Sequence, residues 1–181
     1  MNAVLSAYAP GLFAGRTVLV TGASSGIGLG AALAFAALGA KVTATGATAP
    51  ECERAAADPA SAGVTFVPLD VRDVAAVAGL VGGFPTLDIV VNAAGVIRRD
   101  AEHDPSVFAE VLAINLTGTM RVCATARPKL AASGGSVVNL ASMLTFFGGP
   151  RVPGYSASKG RNRPAHQEPS RRVGGRWHPG Q

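Results

Sequence analysis

Aromatic, charged and sulfur-bearing side chains are all scarce in this chain. Of 181 residues, 6% are aromatic, 15% are charged and two are cysteine. Cys52 and Cys123 lie far apart and in no metal-ligand spacing, which excludes a disulfide framework and a structural zinc site. A reduced, cytoplasmic setting and no bound metal are expected. No apolar run approaches the roughly 20 residues of a membrane helix. No Lys or Arg precedes Arg16, and Pro10-Gly11 interrupts the only apolar stretch near the start. Neither a spanning segment nor a secretory leader is expected. Acidic residues number 11 against 16 basic ones, for a net charge of +5. The excess sits in residues 160–181, where Arg161, Arg163, Arg171, Arg172 and Arg176 face Glu168 alone, a net +4. Residues 1–159 keep only +1. The basicity thus belongs to a tail rather than to a face of the domain, and no nucleic-acid partner is expected.

What the chain does have is small apolar residues. Hydrophobic residues make up 48%, glycine occurs 23 times and the mean hydropathy is +0.31, enough for one domain with a sizeable core. Residues 16–21 (RTVLVT) suit a buried parallel strand. They run directly into Gly22-Ala-Ser-Ser-Gly26-Ile-Gly28 and a small-residue helix that Gly39 can close. Strand, glycine turn and helix together aim backbone N–H groups at a phosphate. Gly22 would permit the turn, Gly26 the approach of a pyrophosphate, and Gly28 close packing of helix on strand. The spacing is GxxxGxG, not the GxGxxG of the common dinucleotide fingerprint.

Further strands are expected at 41–45, 64–69, 87–91 and 136–140, alternating with helices at 74–81 and from Ser106 toward Leu130, where Pro128 should bend the last turns. The fold class is therefore α/β, a Rossmann-like doubly wound parallel sheet. Residues 46–48 after the second strand (Gly-Ala-Thr) offer neither the acid that selects a ribose hydroxyl nor the base that selects a 2′-phosphate. Arg54 would either reach a phosphate or stay solvated. Asp70 either accepts from an adenine amino group or caps the helix starting near Asp73. Asn92-Ala93-Ala94-Gly95 leaves room for a planar ligand at the carboxyl edge of the sheet, and Asn115 needs partners within an apolar stretch.

Tyr155 and Lys159 are four apart, so on a helix the ammonium lies beside the phenol and favours its ionised form. Ser142, at the end of the fifth strand, would hydrogen-bond an oxygen that gains charge in a reaction. That combination is acid–base chemistry on an alcohol or carbonyl. The same residue types also occur as a surface pair and a turn cap.

Taken in order, TGASSGIG (21–28), Asp70-Val71, NAAG (92–95), Asn115, Ser142 and YSASK (155–159) resemble the short-chain dehydrogenase/reductase family over roughly residues 12–160. The family normally writes NNAG, so Ala93 is a departure. The resemblance implies that Tyr155 is the general acid/base and that Lys159 lowers its pKa and binds the nicotinamide ribose. Ser142 would hold the substrate oxygen, and Asn115 would fix a water linking Lys159 to solvent. Gly22, Ser24, Ser25, Gly26, Ile27, Gly28, Asp70, Val71, Asn92, Ala93, Gly95, Tyr155 and Lys159 would line NAD(H) or NADP(H), with a lean to NAD(H). AAGVIRRD (93–100) and NLASMLTFFGGPRVPGYSASK (139–159) are similar to the sugar-acid branch, the 2-deoxy-D-gluconate 3-dehydrogenase or 2-dehydro-3-deoxy-D-gluconate 5-dehydrogenase type. Arg98, Arg99 and Arg151 would then either pair with a substrate carboxylate or remain at the surface. Homo-oligomers, dimers or tetramers, are the family's habit.

Residues 160–181 depart from that pattern. Where the family continues a helix, Pro164 and Pro169 break one and apolar residues nearly vanish. Codons exist for residues 161–181 whose bases, regrouped by one position, encode GGIAQLTKSLAVAWAADGIRV, a helix and strand start of the family's kind. A one-base insertion in the Gly160 codon is thus inferred. Residues 1–159 are expected to be a truncated dinucleotide-binding domain and 160–181 an out-of-frame, disordered tail. The alternative to a working dehydrogenase is a poorly stable, catalytically defective remnant that at most binds dinucleotide.

Overall fold

The computed structural model describes residues 6–160; the expectations for the tail lie outside them. Five strands form one parallel sheet: β1 (Thr17–Thr21), β2 (Lys41–Gly46), β3 (Val64–Pro68), β4 (Ile89–Asn92) and β5 (Ser136–Asn139). Their order is β3-β2-β1-β4-β5, with Val20 registered against Ala44 and Val91, and Val91 against Val138. The reversal of order between β1 and β4 opens a crevice at the carboxyl ends of the strands. The expected strands differ from these by two residues at most, as strand ends generally do.

Strand alternation builds the two layers. Val18, Val20, Val42 and Ala44 pack with Ala32 and, less buried, Phe35 on one face, where α1 (Gly26–Ala37) lies. Leu19 and Val90 point to the other, against Val77 and Val81 of α3 (Val74–Gly82) and against Val122, Ala126 and Leu130. Each such side chain fully removed from water contributes about 1.5–3 kcal/mol. Between β2 and β3 runs α2 (Ala49–Ala56).

The last three core residues belong to a continuous helical segment of residues 105–133. It opens as α4 (Pro105–Leu112), widens into a π-helix at Ala113–Gly118 and closes as α5 (Thr119–Ser133), running through Pro128. Asp104 starts it by accepting from Ser106 N, and left-handed Gly134 ends it. By length and composition this segment is apolar enough to cross a membrane, although polar and charged residues such as Glu110, Asn115 and Arg121 interrupt it. Its buried residues Val111, Asn115, Thr119, Val122, Ala126 and Leu130 form one stripe at helical spacing. A Cβ on Gly118 would stand 2.5 Å from Val71 Cγ2, so the π turn lies flush on the loop after β3. Through this stripe the segment packs on the sheet.

After β5 come a short helix α6 (Leu144–Phe147) and helix α7, residues 153–160.

Candidate active site

The glycine turn is stitched to two strand ends. Ala23 N donates to Thr45 O, Ala93 N to Thr21 O and Ala94 N to Thr21 Oγ1. Gly22 has φ +62°, and a Cβ there would overlap Ala94 Cα. It is glycine because the NAAG turn presses on it, beyond the needs of the turn itself. A Cβ on Gly28 would overlap Gly22 O, which seats α1 directly over its own turn. Gly26 differs: φ is +59°, yet nothing lies within 4 Å of its absent Cβ. Ser25, the N-cap, makes no side-chain capping bond, and the first turn of α1 carries no acid. An open glycine and uncapped first-turn N–H groups are what a pyrophosphate needs. The residues present fit a dinucleotide.

This turn opens onto a cleft of about 610 Å³. Of the expected cofactor residues, Gly22, Ser24, Ser25, Asp70, Val71, Ala93 and Gly95 line it. Gly26, Ile27 and Gly28 sit at the start of α1 beside it. Asn92 does not face it: its amide donates to Asn139 Oδ1 at 2.7 Å and to Cys123 Sγ, joining β4 to β5. Asp70 accepts from Arg72 through backbone and guanidinium, and that guanidinium holds the Asp70 carboxyl below its ordinary range. The cap of α3 is Asp73, accepting from Ala76 N at 2.9 Å, so Asp70 has no capping role. Arg54 is exposed and lines the cleft near Glu51, whose carboxylate accepts from Ala47 N at 2.8 Å.

At the other end of the site, α7 carries Tyr155 and Lys159. Lys159 Nζ lies 5.6 Å from the Tyr155 ring centroid and donates to Leu140 O at 2.8 Å. Only 7% of Lys159 is exposed, and burial pushes its ammonium below the ordinary lysine value. Ser142 Oγ accepts from Leu144 N at 3.2 Å, two residues on, and its own proton stays available. Asn115, wholly buried in the π turn, accepts from Val96 N and donates to Val96 O, both at 2.8 Å. It also donates to Ser158 Oγ at 3.3 Å, and Ser158 donates to Tyr155 O. Val96 lines the cleft, so one buried amide joins the cleft to the tyrosine helix.

Two of the three candidate carboxylate-binding arginines are engaged internally. Arg151 grips Asp100, and Arg98 meets Glu110 at 3.4 Å. Arg99 is exposed.

The sequence pattern of the short chain dehydrogenases matches residues 16–163. The chain belongs to the short-chain dehydrogenase family. It is 38% identical to D-threitol dehydrogenase of Mycolicibacterium smegmatis over 154 residues, 80% of this chain and 59% of that one. To 2-dehydro-3-deoxy-D-gluconate 5-dehydrogenase of Dickeya dadantii it is 33% identical over 155 residues, 80% of this chain and 60% of that one. A short chain dehydrogenase of Shigella flexneri solved in complex with NADP superposes with a TM-score of 0.79 at 28% identity, over 88% of this chain and 72% of that one. The chain thus spans about 60% of the length of these curated relatives.

Sequence reasoning missed Glu51 and Glu102. Both are carboxylates bound to backbone N–H groups. Glu51 has a sequence signal, an acid in the first turn of α2 after Thr48 and Pro50. Glu102 has none: its partners are distant in sequence.

Proposed function

We propose that this site transfers a hydride between a nicotinamide dinucleotide and a secondary alcohol or its ketone, with NAD(H) preferred and a polyhydroxylated substrate, sugar acid or neutral polyol. The observation that carries the reading is the Asn115 amide, which binds cleft residue Val96 and the helix of Tyr155 at once. One side chain thereby links the cleft to the acid–base helix.

A bound nicotinamide supplies the hydride acceptor or donor. In oxidation, Tyr155 Oη takes the hydroxyl proton as the carbon gives up its hydride; in reduction it returns that proton to the alkoxide. Lys159, buried beside the ring, supplies positive charge when protonated. Ser142 donates its free O–H to the substrate oxygen while its lone pair holds Leu144 N. The NAD(H) preference is supported at the end of β2. A Cβ on Gly46 would meet Ser24 Cβ, Cys52 Sγ and Glu51 Cβ at 3.0–3.2 Å, and glycine there presents no selecting side chain of its own. Glu51, fixed by Ala47 N–H in the same cleft, offers its second oxygen to a ribose hydroxyl and repels a 2′-phosphate.

A second reading, dinucleotide binding with little turnover, is favoured by one fact: Ser142, Tyr155 and Lys159 do not line the cleft. Following NADH formation from NAD⁺ with D-threitol, other polyols and sugar acids separates the two. Substrate-dependent NADH formation that Tyr155→Phe lowers at least 100-fold supports the dehydrogenase. NADH binding with no turnover on any substrate supports the second reading.

A further inference from the structure

The Tyr155 helix is anchored by a carboxylate that no part of the proposed reaction uses. Glu102 is 1% exposed. Its Oε1 accepts from Arg98 N at 2.7 Å and its Oε2 from Tyr155 N at 2.8 Å, across 53 residues of chain. Residues 101–103 form a single 3-10 turn between the NAAG loop and α4, so one side chain ties that loop to α7. No salt bridge to Glu102 occurs among the described residues, and a buried carboxylate without a counter-charge is destabilising unless N–H groups satisfy it.

The first turn of α7 lacks acceptors of its own. Pro153 has no N–H, and Ser156 N already donates to Val152 O. Tyr155 N is among the first N–H groups of the helix, which have no intrahelical acceptor, and the Arg151 carbonyl one turn back accepts from Asp100 N at 2.8 Å. Glu102 therefore supplies what the helix cannot. Neighbouring contacts converge there: Arg151 grips the Asp100 carboxylate, and His103 Nε2 lies 3.0 Å from Pro150 O. A Cβ on Gly154 would stand 3.2 Å from Phe108 Cδ2 and 3.3 Å from Glu102 Oε2, so glycine lets the helix settle onto this seat.

The geometry points to Glu102 as the positioning residue of the acid–base pair: through the Tyr155 backbone N–H it sets where α7 holds Tyr155 and Lys159 against the end of β5. The inference rests on the dehydrogenase reading for its purpose, not for its test. Burial pushes the Lys159 ammonium below its ordinary value, so Lys159 reports how the helix is seated.

The chain has three lysines, Lys41, Lys129 and Lys159, and lysine-selective NMR follows each through a pH titration. In Glu102→Gln, which keeps one acceptor oxygen, the Lys159 midpoint should rise toward the ordinary 10.5, and in Glu102→Ala it should rise further. Gly154→Ala, which leaves Glu102 intact, should move it the same way. Removing a negative charge without unseating the helix would move it down, so the sign decides. An unchanged or lowered midpoint in all three variants overturns the inference. Should the variants fail to fold, hydrogen exchange of the unaltered chain decides: the Tyr155 amide must exchange slowly, and fast exchange overturns it. Binding of ADP-ribose to the same samples is read separately. Its absence from the unaltered chain refutes the dinucleotide reading while the Lys159 shift still judges Glu102.

Discussion

Lys159 Nζ donates to the carbonyl oxygen of Leu140 at 2.8 Å, so the lysine of the YSASK motif is bound to the chain just past β5. It is buried, and burial lowers its folded-state pKa from 10.5. Below the folded value both states carry the proton. Between that value and 10.5 only the unfolded chain does, so stability should rise with pH across this window, by about 1.4 kcal/mol per unit of depression. Thermal unfolding of the parent and of Lys159→Met over that range checks it. The parent's midpoint should climb relative to the variant, and parallel curves would count against a buried ammonium.

Two glycines of one turn should fail differently. Gly22→Ala forces a Cβ into Ala94, against backbone that cannot yield, and the chain should lose several kcal/mol or fail to accumulate. Gly26→Ala meets open space and bears only the left-handed φ, about 1–2 kcal/mol. It should fold, yet bind NADH at least 10-fold more weakly. Circular dichroism and NADH fluorescence on both variants distinguish the two effects.

Asp88 is the acid-sensitive tie of the domain. It accepts from Thr17 N at 2.8 Å and from Arg16 at 2.8 Å, and these bonds hold its carboxyl below the ordinary 3.8. A depressed carboxyl contributes stability above its unfolded pKa, and that contribution is lost as pH falls through the folded one. Asp88→Asn should therefore cost about 1–3 kcal/mol at pH 7, and the gap should close below pH ~4 in denaturant titrations.

Cofactor choice should rest on Glu51. NADH should bind at least 10-fold more tightly than NADPH, and Glu51→Ala should narrow the ratio mainly by improving NADPH. Equal affinities in the parent chain would remove Glu51 from that role.

Much of this architecture was legible because it is written in local pattern. The β-branched runs at 17–21 and 41–45 alternate across the sheet as burial requires, and the glycine turn follows β1 directly. What escaped depends on which distant residues meet. Asp70 read equally as an adenine acceptor and as the cap of the helix near Asp73; in the fold Asp73 itself accepts from Ala76 N, while Asp70 binds Arg72. Arg98 and Arg151 read either as substrate contacts or as surface arginines, and folding places them in surface ion pairs with Glu110 and Asp100. Glu102 carries no local signal and is buried, because its two N–H partners come from residues 98 and 155. Asn92 falls within a family motif, yet its side chain serves the pairing of β4 with β5.

Both functional readings require the glycine-turn cleft to hold a dinucleotide, and a fluorescence titration of NADH with the purified chain tests that most directly. The account predicts saturable binding that ADP-ribose displaces and Gly26→Ala weakens. No saturable binding by a folded chain, or binding indifferent to Gly26→Ala and to ADP-ribose, would contradict it.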